Sequence, residues 1–190
     1  MRAGLVLAGG QGRRLGGVDK ALVDIGGTTM LDRVLAAAAA HTDELVVVGP
    51  VRTTAVAGVH FTIEASPGGG PVPAVAAGLA EVPEADVAVV LAVDLPLLSA
   101  EDVATLLAGL DDETVDAVVA ADHRGRPNPL LAAYRAGALR STLEGLGRDD
   151  PAARLLTPAT AMVDLGLAGT LNVNQPGDLE RARLLLRPGP

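Results

Sequence analysis

The chain has 190 residues, a formal net charge of −8 and 49% hydrophobic residues, which gives room for one domain with a sizeable core. One Phe, one Tyr and no Trp argue against a stacking platform for single-stranded nucleic acid, and the negative charge disfavours nucleic acid or an anionic membrane as a partner. The absence of cysteine excludes disulfides, thiolate catalysis and Cys-ligated zinc.

The N-terminus runs straight into strand-like sequence with no basic-then-apolar leader, and His41 and Asp43 interrupt the longest alanine-rich run. A cytoplasmic protein is expected. Residues 3–8 form a short apolar run stopped by glycines, the pattern of a buried parallel strand. Residues 21–25 read as another short strand, turned by Gly26 and Gly27. Thr29 with Asp32 three residues later predicts a capped helix running to about His41. Strands are predicted over 44–48 and 59–63. Residues 66–73, rich in Gly and Pro, read as a loop before a helix over 74–81. Residues 87–93 are the most hydrophobic strand and the expected sheet centre, followed by a helix opened by Ser99 and Asp102. Further strands are predicted at 115–120, 130–134 and 161–165, with helices at 136–146 and 152–156. A last helix starts at Pro176.

Strands alternate with helices over the first 110 residues, which predicts right-handed crossovers and a parallel sheet. Two adjacent strands within 115–134 break the alternation and predict an antiparallel excursion. The expected fold is therefore α/β, a three-layer sandwich around a mostly parallel mixed sheet. Ligands of such sheets sit beyond the carboxyl ends of the strands, so the loops at 9–20, 49–58, 64–73, 94–98 and 172–176 are the places to look.

The first of these loops holds Gly9, Gly10, Gly12, Gly16 and Gly17, with Arg13, Arg14 and Lys20. Glycines let backbone N–H groups close around an anion that the cations neutralise. Lys20 is the only lysine in the chain, a poor candidate for routine surface charge. Two familiar phosphate loops fail on particular residues. A dinucleotide fingerprint needs G-x-G-x-x-G and an acid after the second strand, whereas Gly10, Gly12 and Gly16 are spaced G-x-G-x-x-x-G and the second strand ends Val48-Gly49-Pro50. A Walker A loop needs Ser or Thr after its lysine, and Ala21 follows Lys20. Asp94 ends the most apolar strand. A carboxylate there suits a hard cation bridging phosphates, although Asp before Leu95-Pro96 also suits capping of the next turn. Asn172 and Asn174 are two of only three asparagines, and Asn174 before Pro176 also suits a helix cap.

Leu7-Ala8-Gly9-Gly10, Arg14, Gly16-Gly17 and Asp19-Lys20-Ala21 closely resemble the signature of the nucleotidyltransferase superfamily that includes the molybdenum cofactor guanylyltransferases. Asp94-Leu95-Pro96 and Asn172-Val173-Asn174 resemble two further segments of that family. The resemblance implies a Rossmann-like fold and a single nucleotidyltransferase domain over 1–190, with a nucleotide-binding half at 1–110 and an acceptor half at 111–190. It implies Mg²⁺-dependent transfer of a nucleoside monophosphate from an NTP, GTP in the guanylyltransferases, to a phosphorylated acceptor such as molybdopterin, releasing pyrophosphate. Carried over residue by residue, the backbone of Leu7, Ala8, Gly9 and Gly10 contacts the nucleotide. Arg14 and Lys20 hold phosphates, and Asp94 with Asn174 holds the metal. Glu64 and Gly70, before and in the Gly-Pro segment, lie beside the nucleoside. Arg126 and Asn128 fall in a segment on the acceptor side that also reads as a solvated turn. His41, His60 and His123 lack metal-ligand spacing, and Arg181, Arg183 and Arg187 read as a solvated helix face. Gly49 and Ala65 depart from the guanylyltransferase pattern, which has an asparagine and an aspartate there. CTP on the same cofactor, an NTP on a sugar phosphate, and nucleotide binding without turnover therefore stay open. A monomer or weak homo-oligomer is expected.

Overall fold

The computed structural model describes residues 1–9, 17–65, 68–122 and 124–186. Its centre is a seven-stranded sheet in the order β3-β2-β1-β4-β6-β5-β7. The strands are β1 (Arg2–Leu7), β2 (Glu44–Val48), β3 (Val59–Thr62), β4 (Val87–Ala92), β5 (Ala117–Ala121), β6 (Pro127–Arg135) and β7 (Thr160–Val163). All neighbours are parallel except β6, which is antiparallel to both β4 and β5. This is the predicted excursion, and it leaves β4 at the centre, as its uniform hydrophobicity demands.

Period-two alternation splits the core between two faces. Val6, Val47, Val89 and Leu91 pack under α1 (Met30–Ala39) and α3 (Ala100–Ala108), whereas Leu5, Leu7, Val48 and Val90 pack under α2 (Pro71–Ala80) and α4 (Ala136–Glu144). The three layers follow. Each fully buried aliphatic side chain contributes about 1.5–3 kcal/mol. After the short α5 (Gly166–Gly169), α6 (Pro176–Leu185) closes a smaller cluster in which Val173 and Ala182 meet Ile25 and Met30. Among the described residues no helix is long and apolar enough to cross a membrane.

Both predicted caps form. The Thr29 hydroxyl accepts from Asp32 N–H at 3.1 Å, and Ser99 with Asp102 makes a reciprocal capping box. Asp32 does more: its Oδ1 accepts from the Thr54 hydroxyl at 2.6 Å and Ala55 N–H at 3.0 Å, fastening the loop after β2 to the start of α1. Three expectations need correction. Residues 21–25 are not a strand but a 3₁₀ turn over Lys20–Leu22, followed by a small loop closed by Met30 N–H donating to Val23 O. With no neighbouring strand to pair with, a short apolar run takes the turn that Asp19 caps. Helix α2 begins at Pro71 rather than 74, because a proline in the first turn forgoes no intrahelical bond. Strand β6 includes Pro127 and Pro129. Their end runs past β4, whose pairing with β6 reaches only Leu131, so one flank is open, as proline requires.

Candidate functional site

In the register of the sheet Leu7 lies beside both Val48 and Ala92. The residues after these three strands, Ala8-Gly9, Gly49-Pro50 and Val93-Asp94, therefore share one edge. Ala8 N–H donates to Val48 O at 2.9 Å and Val93 N–H donates to Leu7 O at 3.0 Å, which fixes the three exits to one another. Leu7 and Ala8 are buried and Gly9 is exposed, so the chain reaches the surface at Gly9. Gly10 and Arg14 lie outside the described residues. Gly49, where the family pattern has an asparagine, has φ +155°, and a Cβ there would lie 2.9 Å from Ala8 C and 3.0 Å from both Ala8 O and Gly9 N. The close approach of the β1 and β2 exits requires glycine at this position.

Asp94 leaves β4 at this edge, and its carbonyl accepts from Val173 N–H at 2.8 Å, tying the Asn172-Val173-Asn174 segment to the strand end. Lys20 Nζ donates to Asn174 Oδ1 at 2.6 Å and lies 3.5 Å from Asp94 Oδ2. The three sequence-predicted residues thus meet at one ammonium, 154 residues apart along the chain at the extreme. Asn174 does not cap α6. Gln175 is the cap, with the Asp178 carboxylate accepting from both Asn174 and Gln175 N–H, so the Asn174 side chain is released towards Lys20. Burial pushes the Asp94 carboxyl above the usual carboxylate range, and Lys20 draws it back only in part. Asp94 Oδ1 is buried without a hydrogen-bond partner among the described residues, a costly state for a carboxylate. The unsatisfied hard oxygen, with the neutral amide oxygen of Asn174 nearby, fits a divalent cation completed by phosphate and water. No cluster of three or more acidic or histidine side chains suited to a metal occurs among the described residues.

Glu64 lies close to Gly9: a Cβ on that glycine would be 3.9 Å from Glu64 Oε2, and Glu64 Oε1 accepts from Gly68 N–H at 3.1 Å. Gly70, at φ +91°, is the N-cap of α2. On the other side of Asp94 a cleft of about 630 Å³ is lined by Asp94, Asp122, Arg126, Asn128, Asn172 and Asn174, among others. The expected solvated turn needs correction: Arg126 lies just before β6, Asn128 lies within it, and both line this cleft. Asp122 accepts from Arg126 N–H at 2.9 Å and pairs with its guanidinium at 2.8 Å, and these contacts hold the Asp122 carboxyl down to about 2. Asn128 Oδ1 accepts from Leu130 N–H. His60 pairs with Glu81 at the far edge of the sheet, and Arg181 and Arg183 are exposed on α6. His123 and Arg187 lie outside the described residues.

Sequence reasoning missed Arg52. It lies in the 49–58 loop, and its guanidinium donates to Asp19 Oδ2 at 2.7 Å, Pro50 O at 3.0 Å and Ala8 O at 3.1 Å, with its side chain only 6% exposed. The signal available was an arginine just past the carboxyl end of a parallel strand, with Asp19 unassigned next to the single lysine.

The family model of the MobA-like NTP transferase domain matches residues 4–163. The chain is 34% identical over 205 residues to a probable molybdenum cofactor guanylyltransferase of Natronomonas pharaonis, covering 96% of each. It is 29% identical over 206 residues to a molybdenum cofactor guanylyltransferase of Desulfosudis oleivorans, covering 98% of this chain and 96% of the relative. Among solved structures, molybdopterin-guanine dinucleotide biosynthesis protein A of Archaeoglobus fulgidus superposes with a TM-score of 0.73 at 24% identity over 97% of this chain and 98% of the other. A Thermus thermophilus 2-C-methyl-D-erythritol 4-phosphate cytidylyltransferase reaches 0.71, also at 24% identity over 97% and 98%. Both share the fold.

Proposed function

The chain belongs to the MobA-like NTP transferase family and is a nucleotidyltransferase, and from that premise we propose that it moves GMP from GTP to molybdopterin, releasing pyrophosphate. The observation that carries the assignment is the convergence of Lys20, Asp94 and Asn174 where β1 and β4 end, beside a cleft large enough for a second substrate. The guanylyltransferase names of the full-length relatives support GTP and molybdopterin over a cytidylyl or sugar-phosphate reaction.

In the proposed reaction an oxygen of the acceptor's phosphate attacks the α-phosphorus, a new P–O–P linkage forms, and the α–β bridging bond breaks with its electrons leaving on pyrophosphate. Little covalent work falls to the protein; positioning and charge stabilisation carry the rate. Residues 1–110 bind the nucleotide and 111–190 build the acceptor side. The chain enters the nucleotide loop through Leu7, Ala8, Gly9 and Gly10, with Glu64 and Gly70 beside the nucleoside. Arg14 and Lys20 hold the triphosphate, and Lys20 exchanges its Asp94 contact for phosphate oxygens as charge develops on them. Asp94 and Asn174 would hold Mg²⁺, which supplies further neutralisation of the phosphate oxygens when bound. In the cleft Arg126 faces the acceptor.

Pyrophosphate release is measured with molybdopterin and each of GTP, CTP, ATP and UTP, beside a thermal-shift series of the same nucleotides with Mg²⁺. GTP is expected to give the fastest turnover, and a ligand at 100 times its Kd raises stability by about 2.7 kcal/mol. The shift disappears in Lys20→Ala and persists in Arg181→Ala. Preference for CTP overturns the guanylyl assignment, and retention of full activity in Lys20→Ala overturns the site.

A further inference from the structure

We infer that Arg52 is a positioning residue for the reaction, holding the segment that aims Lys20; this rests on the proposed role of Lys20. Arg52 spends three of its donors on three chain segments: the exit of β1 through Ala8 O, its own loop through Pro50 O, and the phosphate loop through Asp19 Oδ2. The Asp19 carboxylate passes this restraint on. While Oδ2 takes the Arg52 Nε–H, Oδ1 accepts from Ala21 N–H at 3.1 Å, so one carboxylate clasps the backbone on both sides of Lys20. From that fixed backbone the Lys20 side chain crosses to Asn174 and Asp94.

The geometry demands arginine. A planar fork with donors at Nε, Nη1 and Nη2 reaches three acceptors in different directions, whereas a lysine ammonium on its flexible stem cannot hold that set. With a side chain only 6% exposed and all three of its nitrogens already donating to the protein, Arg52 acts through Asp19 and not on substrate. The surrounding anchors agree. Asp32 pins the same loop from the other end through Thr54 and Ala55, and Gly49 lets the loop lie against Ala8-Gly9. Arg52 is thus the joint between a rigid β1–β2 exit and the residue proposed to stabilise the triphosphate. Misplacing a reacting group by about 1 Å costs on the order of 10²-fold in rate.

Because Lys20 is the only lysine, protein grown with ¹³Cε,¹⁵Nζ-lysine gives a single side-chain signal that reports its surroundings directly. Arg52→Ala is expected to move that signal towards the position it takes in the unfolded chain and to lower kcat about 100-fold with a smaller change in KM for the nucleotide. Adding Asp19→Asn to Arg52→Ala costs little further activity, since asparagine keeps an oxygen for Ala21 N–H and both substitutions remove the one Arg52–Asp19 linkage. Arg52→Lys recovers little, while guanidinium at low millimolar concentration restores part of the Arg52→Ala turnover. Asp19→Asn, which leaves the two carbonyl contacts of Arg52 in place, carries the same test if Arg52→Ala does not fold. A lysine signal and kcat both unchanged in a folded Arg52 or Asp19 variant overturn the inference, as does a loss of melting temperature alone. If Lys20→Ala keeps its activity, the site assignment falls instead, and the two failures are told apart.

Discussion

Gly49 stands where the guanylyltransferase pattern carries an asparagine, and restoring that asparagine is expected to damage the protein. A Cβ at 49 meets Ala8 C at 2.9 Å, Ala8 O at 3.0 Å and Gly9 N at 3.0 Å, all backbone atoms that no rotamer change can clear. Relief requires moving Ala8-Gly9, which carries the 2.9 Å bond to Val48 O and the 3.1 Å bond from Arg52. Backbone strain at φ +155° adds to this. Strain of about 1–3 kcal/mol and overpacking of about 1–3 kcal/mol together give a loss of roughly 2–6 kcal/mol. At roughly 2–4 °C per kcal/mol for a chain of this size, Gly49→Ala and Gly49→Asn should melt on the order of 4–24 °C below wild type. Gly58→Ala is the comparison: its φ is +73° but nothing lies within 4 Å of a Cβ there, so only the strain remains. Melting followed by circular dichroism, with and without GTP and Mg²⁺, measures both effects. Gly49 variants that melt within about 2 °C of wild type, with the nucleotide-induced shift intact, would refute the close approach.

Two further perturbations follow from buried polar groups. The folded-state pKa of Asp94 is raised above its unfolded value, so its ionised form costs stability. That cost sets in above the unfolded value of about 3.9 and is complete once the pH passes the folded pKa. In metal-free buffer Asp94→Asn should therefore melt above wild type at pH 7, by a margin that shrinks as the pH falls towards about 4, while turnover is lost; a margin independent of pH would count against the buried charge. Tyr134 is almost fully buried and donates its hydroxyl to Pro129 O at 2.8 Å, and burial pushes its pKa well above the ordinary phenol range, so it remains a donor at neutral pH. Tyr134→Phe leaves that carbonyl unpaired and should cost about 1–3 kcal/mol in denaturant unfolding; no measurable change would mean the carbonyl finds another partner.

Much of the architecture was legible along the chain because the signals that specify it are local. Thr29 with Asp32 and Ser99 with Asp102 announce helix starts within four residues, and the apolar run at 87–93 announces a strand buried on both faces. Lys20 and Asp94 stand out as candidates by type and place, the one as the single lysine and the other at the end of the most apolar strand, whereas the part expected of Asn174 rests on the family resemblance. What the sequence could not state is what each side chain touches. The reach of Lys20 to Asn174 spans 154 positions, and the Arg52 to Asp19 pair spans 33. Such pairings depend on strand order and register, including the insertion of β6 between β4 and β5, which no local pattern encodes. The role of Asn174 turned on a competition that only packing resolves. Gln175 and Asp178 cap α6 between them, and the amide that sequence alone offers as a cap is turned towards the site. Gly49 reads as an ordinary strand-ending glycine until the β1 exit is folded against it, when the backbone of Ala8 and Gly9 leaves no space for a side chain. Composition and short-range spacing determined which residues were available for the chemistry; the sheet, by bringing distant strand ends to one edge, decided which of them meet.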